Sequence, residues 1–210
     1  LCRDRVLVNT PTANVGTCLH PGLEDDDGGD EHSFRDEADR DYSEVRAAAG
    51  AMNPQIRFGE DLMSRVSYVM MNPGGDAEMT RVVRDALNAL ARDLAEEAGL
   101  DPRAIVEATI VCNPVMHHLL LGLDPVELGQ APFALAVSSS LSLAVDEIGL
   151  RAINPGGRIY VLPCIAGHVG ADAAAVALSE EPQNSDDLVL IVDVGTNAEL
   201  LLGNRHRVLA

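Results

Sequence analysis

After Asp76, apolar side chains recur at steps of three and four residues, a spacing that predicts a long amphipathic helix. Asp76 is expected to cap its start, because Asp accepts hydrogen bonds from first-turn N–H groups, and Gly99 is expected to end it. The apolar positions are Met79, Val82, Val83, Ala86, Leu87, Leu90 and Leu94.

Shorter patterns on both sides of residue 150 alternate between strand and helix. Short apolar runs predict strands at 108–112 and 158–163, and helical spacing predicts helices at 115–123, 139–148 and 171–178. Asp101-Pro102 and Asp124-Pro125 are typical helix starts. Strands interleaved with helices indicate an α/β fold.

The last part of the chain predicts three strands. Residues 188–192 are a continuous apolar run bounded by polar residues, which is typical of a strand covered on both faces. Residues 198–202 and 205–209 follow, and Gly203-Asn204 between them is a favoured hairpin dipeptide. We expect these strands to be adjacent and antiparallel within a mixed sheet.

Charge narrows the classes of function. The 210 residues carry a net charge of −18, which disfavours binding to nucleic acid, and all 15 basic residues are Arg, which removes every chemistry that needs Lys. Eleven Asp or Glu lie within residues 24–44, against two Arg. Such a stretch cannot bury an apolar face, so we interpret residues 1–46 as an acidic segment that is poorly ordered or foreign.

The number and spacing of the cysteines indicate the redox state of the compartment and whether a zinc site is possible. The four cysteines, Cys2, Cys18, Cys112 and Cys164, form no CxxC motif, so we expect a reducing compartment, the cytoplasm. No apolar run is long enough to span a membrane. Cys112 with His117 or His118, and Cys164 with His168, offer a Cys2His2 zinc site, but their spacing fits no zinc module and a core role is the alternative.

The sharpest candidate site is the run from Asp193 to Asn197. A strand end presents the Asp193 carboxylate, which suits Mg²⁺, and Gly195 lets backbone N–H groups approach phosphate. Thr196 and Asn197 add side-chain donors. Glu199 shares the side of Asn197 and either orients a water molecule for attack or lies in solvent. A plain β-turn is the alternative for the whole run.

Two further segments are candidates. Gly167 and Gly170 precede the helix predicted at 171–178, and helix N-termini bind anions, although Gly-rich lead-ins are common. Residues 53–65 concentrate amide, guanidinium and carboxylate groups around Gly59, and a capped helix start is the alternative there.

Four ordered motifs resemble one family, the reductive activators of corrinoid-dependent methyltransferases. The motifs are NPQIRFGEDLMSRV, VCNPVMHHLLLGLDPVELGQAPF, IYVLPCIAGHVGADAAAVAL and LVLIVDVGTNAELLLGN. The resemblance implies a ribonuclease H-like fold of the acetate and sugar kinase, heat-shock protein and actin (ASKHA) superfamily, incomplete here. Residues 47–183 would be the middle domain, and 184–210 the start of the C-terminal lobe with the second phosphate loop.

By this resemblance the protein uses ATP and Mg²⁺ to return the Co(II) corrinoid of a methyltransferase system to Co(I). Asp193 and Glu199 would be catalytic; Asp193, Gly195, Thr196, Asn197, Gly167 and Gly170 would bind the nucleotide; and Asp193 would hold Mg²⁺. The partner would be a corrinoid protein or methyltransferase, and the chain could form a homodimer.

The family's first phosphate loop and its N-terminal [2Fe–2S] ferredoxin-like domain have no match in these residues. We therefore expect a fragment that does not activate a corrinoid protein by itself. A docking or dimerisation module and a small-molecule kinase of the same superfamily are the alternatives.

Overall fold

The computed structural model describes residues 5–9, 13–17, 46–194 and 198–210, the first two segments and Val194 through their backbone alone. These residues form α-helices, short 3-10 helices and two β-sheets. The strands are β1 (Arg5–Asn9), β2 (Ala13–Thr17), β3 (Ala47–Ala51), β4 (Glu107–Val111), β5 (Leu141–Ala144), β6 (Arg158–Val161), β7 (Val189–Val194), β8 (Ala198–Asn204) and β9 (Arg207–Leu209). The α-helices are α1 (Leu62–Met71), α2 (Gly75–Ala98), α3 (Pro114–Leu121) and α4 (Ala171–Glu180), and 3-10 helices cover Pro54–Phe58, Pro102–Ala104, Val126–Gly129 and Pro182–Asn184.

The larger sheet has six strands in the order β3-β2-β1-β4-β6-β5. Strand β4 is parallel to β1 and β6, and the other neighbours are antiparallel. The predicted α/β class with a mixed sheet flanked by helices is confirmed. The apolar pattern predicts no strand before residue 47. In the structure, β1 and β2 precede that residue and connect β3 to the parallel strands. The sheet therefore includes residues on both sides of the boundary expected at residue 46. Residues 18–45, with the whole acidic stretch 24–44, lie outside the described residues, and the three-part division stays a prediction.

Helix α2 covers one face of this sheet. Its buried residues, such as Val83, Leu87 and Leu94, pack in one core with Ala108 of β4 and Ile159 of β6. The predicted end at Gly99 is confirmed by its φ of 70°, but the helix begins at Gly75, before Asp76. On the other face, Ala171 and Ala175 of α4 pack with Val111 and Leu162. In the part of the chain that the structure describes, no helix is both long and apolar enough to cross a membrane.

The helix predicted at 139–148 is wrong. Strand β5 occupies Leu141–Ala144 and pairs with β6, and a turn follows. The helix-like spacing arises because the turn buries Val145, Ile148 and Leu150 in the core beside α2, and Gly149 closes it with a φ of 67°. A turn can therefore imitate helical periodicity over one or two repeats.

The three C-terminal strands are adjacent and antiparallel, as predicted, but they form a separate sheet in the order β7-β8-β9. The two-residue turn is Arg205-His206, not Gly203-Asn204. Gly203 lies within β8, where a Cβ would come within 2.6 Å of Val208 Cα. The expectation that β7 is covered on both faces is also wrong, because Leu190 is 57% and Val192 is 50% exposed.

Candidate functional site

Two carboxylates face each other across β7 and β8. Asp193 and Glu199 are register partners, and directly opposite residues of an antiparallel pair share one face. Two positions along β8, Leu201 shares the side of Glu199 and is 2% exposed, so this is the covered face. Glu199 is partly buried and lies on β8, the middle strand of this sheet. Gly195, Thr196 and Asn197 connect the two strands and lie outside the described residues.

A third carboxylate, Asp172 in the first turn of α4, joins this pair. Burial raises the pKa of Glu199, and the charges of Asp172 and Asp193 raise it further. Burial likewise raises the pKa of Asp172, with Asp193 adding to the shift and the backbone N–H of Ala173 opposing it at 3.0 Å. Among the residues that the structure describes, no basic side chain contributes to either shift, so the cluster of Asp172, Asp193 and Glu199 concentrates negative charge. The sequence marks Asp172 only as a helix start, so its place in the site was missed.

The two candidate glycines allow close packing around this cluster. A Cβ on Gly170 would lie 2.8 Å from both Asn113 Cα and Pro114 Cδ, so the α4 start could not rest against the α3 start. A Cβ on Gly167 would overlap the carbonyl oxygen of Phe133. At the α4 N-terminus, the Ala171 N–H already donates to the Cys112 carbonyl at 3.0 Å.

A cavity of about 690 Å³ connects part of the candidate set. Glu199 and Gly167 both line it, together with residues from the α1 start, the first turn of α3 and the turn around His168. Its volume lies within the usual range for small-molecule sites. The structure therefore brings Glu199 and Gly167 to one concave surface, with Asp172 and Asp193 close enough to Glu199 to shift its pKa.

The polar segment 53–65 serves to start helices. The Asn53 side chain accepts from the Gln55 N–H at 2.9 Å, and Asp61 forms a capping box with Ser64. Arg65, which is buried, donates from Nε to the Gly59 carbonyl at 3.0 Å. The capped-helix alternative is thus confirmed for this segment.

The Cys and His side chains considered as zinc ligands do not form a metal site. His118 donates from Nδ1 to the Pro114 carbonyl at 2.8 Å and accepts at Nε2 from the Ala136 N–H at 3.0 Å, a pattern that assigns the neutral ring. Burial lowers the pKa of His117 to about 4 and raises that of Cys164 to about 11. Cys112 is also a buried thiol. Among the residues that the structure describes, no three His, Cys, Asp or Glu side chains could together hold a metal ion.

The fold and the site define an α/β protein with a carboxylate cluster where two antiparallel strands meet a helix start. The chain belongs to the RACo middle region family, whose model matches residues 38–185. The resemblance to reductive activators of corrinoid systems is thereby confirmed.

Two known proteins support this assignment. The chain is 33% identical over 153 residues to the corrinoid activation enzyme RamQ of Eubacterium limosum, covering 73% of this chain and 25% of that protein. The structure of a reductive activator for corrinoid, iron-sulfur protein superposes with a TM-score of 0.81 and 28% identity, covering 97% of this chain and 29% of that one. The chain thus spans between a quarter and a third of the length of these relatives.

Proposed function

We propose that this chain is the part of an ATP-dependent reductive activator that holds the phosphates of ATP through Mg²⁺, so that a Co(II) corrinoid protein is returned to Co(I). The observation that carries the proposal is the cluster of Asp172, Asp193 and Glu199, in which burial and the charges of Asp172 and Asp193 raise the pKa of Glu199 and no described basic side chain opposes the shift. Family membership and the relatives' names supply the direction of the chemistry.

The residues fit Mg²⁺ bound to a nucleotide. Mg²⁺ retains waters and is usually held by one or two carboxylates together with substrate phosphates, not by an all-protein cage. Asp172, Asp193 and Glu199 offer carboxylates for such binding, and among the described residues no three His, Cys, Asp or Glu side chains could hold a metal ion by themselves. Asp193 at the end of β7 would hold Mg²⁺, and Gly195, Thr196 and Asn197 would carry the phosphate loop.

Glu199 would act as the base for hydrolysis. A partly buried carboxylate with a raised pKa accepts a proton from an attacking water molecule more readily than a solvated one. Gly167, which lines the same cavity as Glu199, would contact the nucleotide there, and Gly170 would let the α4 N-terminus rest against the α3 start beside it. ATP supplies the phosphoryl group whose transfer to water drives the change, and one electron from a separate reductant converts Co(II) to Co(I).

The ASKHA assignment belongs to the same proposal. An antiparallel meander, β3-β2-β1, continues into the parallel strands β4 and β6, with helices on both faces. This arrangement supports a ribonuclease H-like lobe, and the β7-β8 turn would then contribute the second phosphate loop.

The test follows the visible spectrum of a Co(II) corrinoid protein mixed with the protein that carries this chain, Mg²⁺-ATP and a one-electron reductant. We expect Co(I) to appear only with ATP, to be lost with Asp193→Asn and to persist with Asp187→Asn, a matched change at an exposed neighbour. Formation of Co(I) at the same rate without ATP would contradict the proposal.

The exposed apolar face of the β7-β8-β9 sheet favours the docking module as a second candidate. Leu190, Val192 and Leu200 on that face are each at least 50% exposed, which is the kind of surface that another protein surface covers. In the same assay, corrinoid-protein binding without any effect of Asp193→Asn would indicate the docking module. ATP-dependent phosphorylation of a small molecule would indicate the kinase.

A further inference from the structure

A second cavity, of about 740 Å³, lies at the other end of α3 from the candidate site. Its walls are the polar side of α2, the α3 C-cap at Gly122 and the segment 149–152, whereas the candidate site touches the first turn of α3. We call this cavity the arginine groove, because Arg81, Arg84, Arg92 and Arg151 all line it.

A polar stripe along α2 forms the floor of the groove. Asp76, Thr80, Arg84, Asn88 and Arg92 follow one another at four-residue intervals, which places them on one helix face. The three central residues have structural partners. Thr80 Oγ1 donates to the Leu119 carbonyl at 2.6 Å, Arg84 Nε and Nη2 donate to the Leu120 carbonyl at 2.9 and 2.7 Å, and Asn88 Nδ2 donates to the Gly149 carbonyl at 2.9 Å.

Carboxylates neutralise only part of the positive charge of these arginines. Arg81 pairs with Asp85 at 3.5 Å, and Arg84, which burial partly desolvates, meets no carboxylate in the described part of the chain. Arg92 and Arg151 are exposed, and neither has a hydrogen bond or ion pair with a described residue. The lining residues include four Arg and two Asp, Asp76 and Asp85, so their net charge is +2. The chain as a whole has a net charge of −18.

Two glycines keep the wall beside Arg84 free of side chains. Gly122 has a φ of 78° and Gly149 a φ of 67°, a conformation that other residues rarely adopt. A Cβ on Gly122 would lie 3.5 Å from Arg84 Nη2, and one on Gly149 would lie 4.0 Å from Arg84 Cδ. Arg84 therefore lines the groove beside bare backbone, and its Nη1 takes no part in the bonds to Leu120.

We propose that the arginine groove is a binding site for a small multivalent oxyanion, a phosphate or carboxylate compound, with Arg84 at its base and Arg92 and Arg151 at its rim. Planar guanidinium groups match both kinds of oxyanion through paired N–H donors. The site is separate from the carboxylate cluster, so it stands whether or not that cluster binds a nucleotide.

The test is calorimetric titration of the chain with pyrophosphate and, separately, with citrate, in the absence of Mg²⁺ and nucleotide. We expect saturable binding of at least one of them with one site per chain, and the tighter probe identifies whether phosphate or carboxylate is preferred. Arg92→Gln and Arg151→Gln should each weaken binding by about tenfold, as expected for losing one charge-assisted contact.

Arg103→Gln is the matched control, because Arg103 is exposed and lies outside the groove. It should leave the affinity unchanged. The proposal is overturned if neither probe binds saturably, if Arg92→Gln and Arg151→Gln bind as the unmodified chain does, or if Arg103→Gln weakens binding equally. Arg84 is left intact because it holds the α3 C-terminus, and circular dichroism confirms that each variant is folded.

Discussion

Three carboxylates that repel one another dominate the candidate site at the scale of single residues. Replacing Asp172 by Asn removes one negative charge next to Glu199, so we predict that the pKa of Glu199 falls toward its ordinary value. The measurement is a carbon-13 NMR titration of the Glu199 side-chain carboxyl. Asp187→Asn, an exposed change of the same kind, should leave that titration where it is. An unchanged Glu199 pKa in Asp172→Asn would show that the two groups do not interact.

His117 makes stability depend on pH. Its side chain is fully buried, both ring nitrogens lack a partner in the described chain, and burial lowers its pKa from 6.5 to about 4. Between these pH values the unfolded chain binds a proton that the folded chain does not. The unfolding free energy attributable to His117 therefore falls as the pH drops, by up to about 1.4 kcal/mol per pH unit.

We predict that His117→Leu flattens this part of the pH profile, because Leu cannot take up the proton. Urea denaturation at pH values from 7 down to 5 measures the difference. His206→Gln, a change at an exposed histidine, serves as the control. Equal pH slopes for His117→Leu and the unmodified chain would contradict the assignment of the proton to His117.

The β7-β8 pair has one covered and one open face at the scale of elements. Leu200 is 55% exposed and its neighbour Leu201 only 2%. We predict that Leu201→Thr lowers the unfolding free energy by about 2–4 kcal/mol, since it removes a buried side chain, whereas Leu200→Thr changes it by about 0.5 kcal/mol or less. Urea denaturation of the two variants gives the comparison, and an apolar-surface dye should bind less to Leu200→Thr. Similar losses of stability in both would mean that β8 is covered on both faces.

How far the sequence predicts each element depends on where its apolar side chains are buried. Helix α2 repeats its pattern over 24 residues, enough to separate a helix from a turn, and its end at Gly99 needs only local geometry. The segment 139–148 has too few repeats for that distinction. The apolar run in β7 has the composition of a strand buried on both faces, but burial depends on which other segments pack there, and the described ones cover one face. The hairpin turn at Arg205-His206 depends on the register of β8 with β9, which brings Gly203 against Val208.

In the candidate site, too, local sequence predicts some residues and packing between distant segments brings in the others. Asp193 and Glu199 are evident from the sequence because they flank a short turn between predicted strands, so their pairing is a local consequence of the hairpin. Asp172 lies 21 residues before Asp193 and 27 before Glu199, and it reaches them only through the packing of α4 against β8, a contact that no local pattern encodes. The packing requirement at Gly170 likewise comes from the approach of α3, not from the glycine's own segment.

At the scale of the whole molecule, the chain belongs to the RACo middle region family and spans between a quarter and a third of the length of the two relatives. Its carboxylate cluster and its open apolar face lie on opposite sides of the same small sheet, because Asp193 and Leu190 occupy alternate sides of β7. One side of that sheet thus carries the candidate carboxylates, and the other exposes apolar side chains.

Titration of the chain with Mg²⁺-ATP tests whether Asp193 anchors a metal-bound nucleotide beside β7 and β8. Isothermal calorimetry should show saturable binding that requires Mg²⁺ and weakens by about tenfold or more in Asp193→Asn, as expected for the loss of a carboxylate ligand. Asp187→Asn should bind as the unmodified chain does. Equally strong binding of Mg²⁺-ATP by Asp193→Asn would contradict the role of Asp193. ATP binding of the same strength without Mg²⁺ would contradict the role of the metal.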